Sequence, residues 1–241
     1  PVLDISNPIQ ISTGNIYLKP SFAHGMYSSF TTNNRETFSF LNVHLNASLS
    51  TRNTVFASWI DGSGIRYSVP VNSTKPSGSG SLYASYNRPI GKERKFTFST
   101  SGNASYSSNT SYQAKSPIDG LDIDTFDYNS FMKEFWGNAD GNRFYSGESG
   151  FAESRTGTFN WGLSLSLKYS IEKLDLTVGG RTSNSISRYS LDPTADMNTW
   201  SSNAYINALY TPGKDWELNT NMAYRFYNGY SAGFGAPEWM W

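Results

Sequence analysis

The residues best suited to chemistry lie in one stretch, residues 113–157, which interrupts a regular alternation of polar and apolar side chains. Carboxylates at short spacing supply the hard oxygen ligands that Ca²⁺ prefers, and this stretch carries Asp119, Asp122, Asp124 and Asp127. Asn138, Asp140 and Asn142 imitate the first half of a calcium-binding loop, but Arg143 occupies the position of the required glycine. We therefore expect a solvated loop here and predict no metal site.

The same stretch contains the predicted ligand-binding residues, which are Trp136, Phe144 and Tyr145. Aromatic rings have flat apolar faces and, in Trp and Tyr, a polar group at the rim, so they suit a sugar or an aromatic ligand. Packing of these rings against one another within the loop explains the pattern equally well. Both interpretations stay open.

The sequence carries no recognisable catalytic motif. Its two histidines are His24 and His44, and it has no cysteine, so neither a catalytic triad nor a metal site rich in His or Cys is indicated. We find no P-loop, nucleophile elbow or dinucleotide fingerprint. Carboxylate pairs for glycoside hydrolysis depend on a separation in space that the sequence does not give. We expect a protein that is not an enzyme and needs no cofactor, with His44 hydrogen-bonded on the polar face of its strand.

Composition narrows the class of protein. The chain has 19 Lys plus Arg against 19 Asp plus Glu, without a long run of one sign, so nucleic acid is not an expected partner. Aromatic residues make up 16% of the chain, yet hydrophobic residues reach only 37%. A barrel with a wet lumen and aromatic girdles has this mixture, because apolar residues cover only one face of each strand.

Residues 159–171 show most clearly which elements hold the acidic and aromatic stretch in place. Every odd position is apolar or aromatic, from Phe159 to Ile171, whereas the even positions are polar or glycine. This period of two is typical of a β-strand with one apolar and one polar face. Thirteen residues also exceed the ordinary strand length of about 5 to 6 and suffice for a tilted strand that crosses a bilayer. We expect the odd residues to face lipid and the even ones, including Lys168, to face a lumen.

The connections between such strands alternate in length along the chain. Short turns are predicted near positions 34, 91, 172 and 213, and long loops at residues 52–77, 113–157, 191–199 and from 228 onward. Outer-membrane barrels combine short periplasmic turns with longer extracellular loops. The pattern predicts an all-β fold, an antiparallel up-and-down transmembrane β-barrel or partial barrel of about eight long strands. Residues 1–241 would form a single barrel segment, with an irregular opening segment at 1–20 and a long extracellular loop at 113–157.

Both ends of the chain carry family-like segments. Residues 14–24, GNIYLKPSFAH, resemble the GNPxLKPxxxH segment that opens later strands in barrels of TonB-dependent receptors of the Bacteroidetes type, although Ile16 and Tyr17 depart from that pattern. Residues 228–241, NGYSAGFGAPEWMW, look like the stretch before the last strands of the same barrels. The resemblance spans nearly the whole chain, but it consists of strand and loop signatures.

The resemblance implies a receptor in the bacterial outer membrane that imports a large, scarce nutrient such as a chelate, a vitamin or a glycan. The chain would then be part of the C-terminal half of the barrel. Its partners would be outer-membrane lipid, the nutrient, and, in the full-length protein, a plug domain and TonB.

Two other classes of protein remain as alternatives. A soluble or surface-anchored β-sandwich that binds carbohydrate would also show alternating strands, with Trp136 and Tyr145 among its contacts. A hydrolase is the third hypothesis.

Overall fold

The computed structural model describes residues 3–7, 9–15, 18–116, 150–213, 216–230 and 237–240. The strands are β1 (Leu3–Asn7), β2 (Gln10–Thr13), β3 (Phe22–Asn34), β4 (Ser39–Thr51), β5 (Thr54–Ile60), β6 (Arg66–Asn72), β7 (Ser77–Ile90), β8 (Phe96–Ala114), β9 (Phe151–Ile171), β10 (Leu174–Tyr189), β11 (Met197–Gly213), β12 (Trp216–Asn228) and β13 (Glu238–Met240). A short 3₁₀ helix, Pro193–Ala195, precedes β11. All thirteen strands of the described residues belong to one hydrogen-bonded sheet.

The long strands form an antiparallel meander in the order β3, β4, β7, β8, β9, β10, β11, β12. The prediction of about eight strands is wrong for the sheet as a whole, because five short strands of three to seven residues join it. Within the described ranges no pairing joins β3 to β12 or β13, so the sheet is not closed into a barrel there. A single sheet also disagrees with the sandwich alternative, which needs two sheets packed face to face.

Four of the short strands extend the sheet at the end where the long loops lie. β1 pairs with β2, β2 lies parallel to β6, and β6 pairs with β5. β5 then takes the place of β7 beside the end of β8, where Ala57 lies opposite Tyr112. The predicted irregular segment at 1–20 is therefore wrong for residues 3–7 and 10–13. Within the loop predicted at 52–77, β5 and β6 form an antiparallel hairpin.

Turn lengths follow the predicted alternation. The four short connections are residues 35–38, 91–95, 172–173 and 214–215, and they join consecutive long strands at one end of the sheet. The other pairs of neighbouring long strands, β4 with β7, β8 with β9 and β10 with β11, are separated in the chain by more residues and are joined from the opposite end of the sheet. We call these the short-turn end and the loop end. The predicted loop at 113–157 is too wide, because β8 continues to Ala114 and β9 begins at Phe151.

Each long strand presents one apolar and one polar face, because the register keeps like residues in line. Leu165 lies opposite Thr100 on one side and Gly180 on the other, and Leu167 lies opposite Phe98 and Val178. We call this side the apolar face; it comprises the odd residues of 41–49 and 159–171 and the even residues of 22–32, 78–90, 96–106, 174–186, 198–210 and 218–228. Leu163, Leu165 and Leu167 are all more than 40% exposed on it. Three successive exposed leucines on one strand face are not expected on an ordinary water-facing surface.

The buried core lies in the extension at the loop end. It consists of Ile11, Ala57, Trp59, Tyr67, Val69, Val71, Tyr112 and Phe151. The rings of Trp59 and Tyr67 stack at 5.2 Å, and Phe151 meets Trp59 edge to face at 6.5 Å. This end of the sheet therefore has its own hydrophobic packing, whereas the long strands below it expose their apolar side chains.

Candidate ligand-facing polar surface

The face opposite the apolar face carries mostly Ser, Thr, Asn and Tyr, and we call it the polar face. It comprises the even residues of 40–50 and 160–170 and the odd residues of 23–33, 77–89, 97–109, 175–187, 199–209 and 217–227. The predicted inward residues Asn160, Ser164, Ser166 and Lys168 lie on it. Most of its side chains are neutral hydrogen-bonding groups, which suit an aqueous passage or a hydroxylated ligand.

An aromatic row crosses the polar face on β3, β4 and β7. The ring of His44 stacks between Tyr27 and Tyr83, with centroids 6.2 Å and 6.3 Å apart. The register produces this row, because His44 lies directly opposite Tyr83 and close to Tyr27. Such a row offers a continuous amphipathic surface about the width of a small sugar or aromatic ring.

Hydrogen bonds fix the orientation of His44, as its position on the polar face predicts. Thr31 donates to Asn42 Oδ1 at 3.2 Å, so the Asn42 amide nitrogen faces His44 Nε2, 2.9 Å away. The amide N–H then donates to Nε2, and neutral His44 carries its proton on Nδ1, which lies 3.1 Å from the Tyr27 hydroxyl oxygen. Both ring nitrogens are thus engaged, which fits a structural part of the surface better than a metal ligand or a base.

A cavity of about 500 Å³ opens on the polar face between β11 and β12. Its lining includes Asn203, Tyr205, Asn207, Asn221 and Arg225. The antiparallel register aligns Asn203 with Arg225 and Asn207 with Asn221, which concentrates four polar side chains on two adjacent strands. The cavity therefore offers amide groups, a phenol and a guanidinium to one ligand.

Two details show that the cavity is built for close contact. Asn207 Oδ1 is buried and has no hydrogen-bond partner among the described residues, so a hydroxyl or N–H group of a ligand or a water would satisfy it. The hydroxyl end of Tyr205 lies over Gly179, because a Cβ added at Gly179 would come 2.5 Å from its Cζ and hydroxyl oxygen. The missing side chain at 179 lets the tyrosine settle against the sheet.

An ion pair lies on the polar face near the short-turn end. Lys168 Nζ is 2.9 Å from Asp175 Oδ2, and the Ser170 hydroxyl donates to the other oxygen of the same carboxylate. Lys168 is therefore neutralised locally. Of the cavity residues, Arg225 has no ion-pair partner among the described residues.

Two carboxylates outside the long strands have perturbed pKa values. Burial raises the pKa of Asp61, but hydrogen bonds from the Ile65 N–H, the Tyr67 hydroxyl and the turn backbone outweigh it and leave the pKa lowered. The Tyr189 N–H and the Arg188 guanidinium, which lies 2.8 Å away, lower the pKa of Asp196. Both carboxylates hold turns at the loop end, and neither belongs to a catalytic arrangement.

The sequence-predicted ligand residues Trp136, Phe144 and Tyr145 lie outside the described residues, as do Asp119, Asp122, Asp124, Asp127, Asn138, Asp140 and Asn142. In the part of the chain that the structure describes, no group of three or more His, Cys, Asp or Glu could hold a metal ion. Sequence reasoning missed the cavity, because single Asn and Tyr residues are common in this chain. The signal was the spacing of Asn203, Tyr205 and Asn207, together with the short turn that brings Asn221 opposite them.

Aromatic side chains mark both ends of the apolar face. Trp161 and Trp200 meet edge to face at 5.3 Å toward the loop end, and Phe96 packs on Tyr169 at 4.8 Å toward the short-turn end. Counting both ends, residues 161–169 make nine positions, which matches the roughly 9 to 11 residues of a tilted strand in a bilayer. Rings at both boundaries and aliphatic side chains between them define a membrane-spanning sheet. Among the described residues there is no helix long and apolar enough to cross a membrane.

The chain belongs to the outer membrane protein beta-barrel family, whose sequence profile matches residues 1–190. This family places the protein in the bacterial outer membrane. No curated protein matches the chain. No solved structure matches it either.

Proposed function

We propose that this protein is the C-terminal barrel portion of a TonB-dependent receptor that takes up a large, scarce nutrient. The observation that carries the proposal is the polar face, which runs without interruption across eight long strands opposite the apolar face. The resemblance of residues 14–24 to the TonB-dependent barrels supports the energised form of transport. In the full-length protein, a plug domain and TonB would be the partners.

Among chelates, vitamins and glycans, a glycan fits the described surface best. The cavity between β11 and β12 combines amides, a tyrosine ring and one guanidinium, and its buried Asn207 Oδ1 calls for a donor such as a hydroxyl. The Tyr27, His44 and Tyr83 row offers a second ring-sized surface on the same face.

Growth of the source bacterium on limiting nutrients tests the proposal. Strains that lack this gene, or lack TonB, would be compared with the parent on a panel of glycans, ferric chelates and corrinoids. We expect both deletions to abolish growth on the same glycan. Equal growth of the gene deletion strain on every nutrient would contradict uptake, and a loss that does not depend on TonB would indicate a passive pore.

A point variant tests the role of the cavity in uptake while the rest of the protein stays intact. Tyr205→Leu removes the phenol from the cavity, and we expect uptake of the glycan to fall severalfold while the protein still inserts in the membrane. Tyr210→Leu on the apolar face of the same strand is the matched control. Equal uptake by both variants would contradict the proposal that the cavity binds the glycan.

A further inference from the structure

A groove of about 700 Å³ lies at the short-turn end, between the turn at 35–38 and the turn at 91–95. Its lining combines basic and apolar side chains, namely Tyr86, Arg88, Ile90, Lys92, Arg94 and Phe98. Such a mixture is amphipathic, because apolar groups of the sheet continue directly into cationic groups of the turns. Of the strand residues in the groove lining, only Pro89 belongs to the polar face, and the groove shares no residue with the cavity around Asn207.

Arg88 has an unusual position for a charged residue. It lies opposite Phe98 and shares the apolar face with Leu82 and Tyr86 of its own strand. Within the described residues that define the apolar face, Arg88 is the one Asp, Glu, Lys or Arg. Glu153, Arg155 and Arg188 continue the same side of β9 and β10 beyond it, at the loop end. A cation on a lipid-facing surface costs about 2 to 4 kcal/mol at the midplane but only about 0 to 1 near the boundary. Arg88 is two residues from the end of β7, where its head can reach the lipid headgroups.

The cations of the groove are available to a ligand. Neither Arg88 nor Lys92 forms an ion pair with a described residue, and Glu93 pairs instead with Lys95, outside the groove lining. Glu36 is the one carboxylate in the lining, so three cations against one anion leave a net charge of two positive. An anionic group is the complementary occupant.

The two turns hold the groove in a fixed shape. The guanidinium of Arg94 lies 3.5 Å from the centre of the Phe38 ring, which joins one turn to the other. Both residues have left-handed backbone conformations, with φ of 51° and 54°. Non-glycine residues rarely adopt this conformation, because it raises the free energy of the folded state. Strain is therefore concentrated at the contact that connects the two turns.

We propose that this groove binds one membrane phospholipid, with the headgroup phosphate against Arg88, Lys92 and Arg94 and an acyl chain along Ile90 and Phe98. Arg and Lys make charge-assisted hydrogen bonds to phosphate oxygens, and a phosphodiester carries one negative charge for this net positive groove. A lipid also explains why apolar side chains line the groove on one side, which a free phosphate would not. The inference depends on the outer-membrane location and not on the kind of transport.

Native mass spectrometry of the intact protein in detergent micelles tests the site. The protein would be exposed separately to dioleoylphosphatidylethanolamine and to dioleoylglycerol, which has the same acyl chains but no phosphate. We expect one retained phospholipid and weaker retention of dioleoylglycerol. Arg88→Gln should bind the phospholipid about tenfold more weakly, since it loses a charge-assisted hydrogen bond, whereas Arg88→Lys should retain it.

The matched control is Arg181→Gln, which removes the same charge from the polar face of β10 and should leave retention unchanged. Circular dichroism would check that each variant is folded, and the comparison of the two lipids on the unaltered protein decides the matter if Arg88→Gln does not fold. Equal retention of dioleoylglycerol would overturn the proposal, as would unchanged binding by folded Arg88→Gln. Displacement of the lipid by excess inorganic phosphate would show a phosphate site and contradict a lipid site.

Discussion

At the residue scale, Gly229 is the described glycine at which an added Cβ would meet the backbone at the shortest distance. Its φ is 79°, and a Cβ built on it would come 2.0 Å from the carbonyl oxygen of Asn198. Gly229→Ala should therefore lower the free energy of unfolding by about 1 to 3 kcal/mol, because the turn after β12 must shift or adopt a strained conformation. Urea unfolding in lipid vesicles, followed by tryptophan fluorescence, measures the change.

The matched control is Gly213→Ala, since Gly213 has nothing within 4 Å of the added Cβ and no left-handed φ. A smaller effect at 229 than at 213 would contradict the close approach of Gly229 to the Asn198 carbonyl oxygen.

Asp196 gives a second prediction at the residue scale. The Tyr189 N–H and the Arg188 guanidinium hold the pKa of its carboxyl below its ordinary value. A lowered carboxylate pKa stabilises the fold at every pH above the unfolded pKa, and this contribution disappears as the pH falls through the folded pKa. The protection factors of the β10 and β11 amides near this turn, which compare the exchange rate with the intrinsic rate at the same pH, should therefore fall only below about pH 4. Asp196→Asn should lower these protection factors at neutral pH and remove their decrease in acid. Protection factors that change with pH as in the unaltered protein would refute the role of Asp196.

At the element scale, the extension formed by β1, β2, β5 and β6 depends on its own core. Trp59 is 3% exposed and packs on Tyr67 and Phe151. Trp59→Ala should cost about 3 to 5 kcal/mol, because it leaves a cavity among these rings. Hydrogen exchange of the β5 and β6 amides reports the loss locally.

Phe56→Ala on the opposite side of β5 is the control, because Phe56 is 56% exposed. We expect an effect within about 0.5 kcal/mol for it. Equal acceleration of exchange by both variants would mean that the core does not hold the extension.

Elements with a local pattern were predictable and elements with distant partners were not. Residues 159–171 alternate strictly, so β9 was expected, and Glu172 and Lys173 form the predicted turn. β9 starts eight residues earlier, at Phe151, because pairing with β8 continues beyond the alternating pattern. The sequence does not predict β1 and β2, since β2 lies parallel to β6, more than fifty residues away, and Pro1, Pro8 and Pro20 favour irregular chain.

The same limit applies to the candidate site. His44 was expected on the polar face because alternation alone places it there, but its contacts with Tyr27 and Tyr83 depend on the register of three strands. The cavity around Asn207 also needs the β11 and β12 register, which a run of common polar residues does not indicate.

At the scale of the whole molecule, a charge should destabilise the protein on one face of a strand and have little effect on the other. Leu165→Lys would place an ammonium group in the middle of the apolar face and should cost about 2 to 4 kcal/mol in lipid vesicles. Ser166→Lys, one residue further on the polar face, should cost little. Urea unfolding in vesicles compares them, and equal costs would contradict a sheet with one lipid face.

The most direct test of the central claim, that the apolar face meets lipid and the polar face meets water, is spin-label accessibility along β9. The sequence has no cysteine, so single cysteines can be introduced and labelled at 163–167 without a background. In lipid vesicles we predict that labels at 163, 165 and 167 are relaxed by oxygen, and that labels at 164 and 166 are relaxed by a water-soluble nickel chelate. An inverted alternation, or equal access of both reagents to every label, would contradict the account.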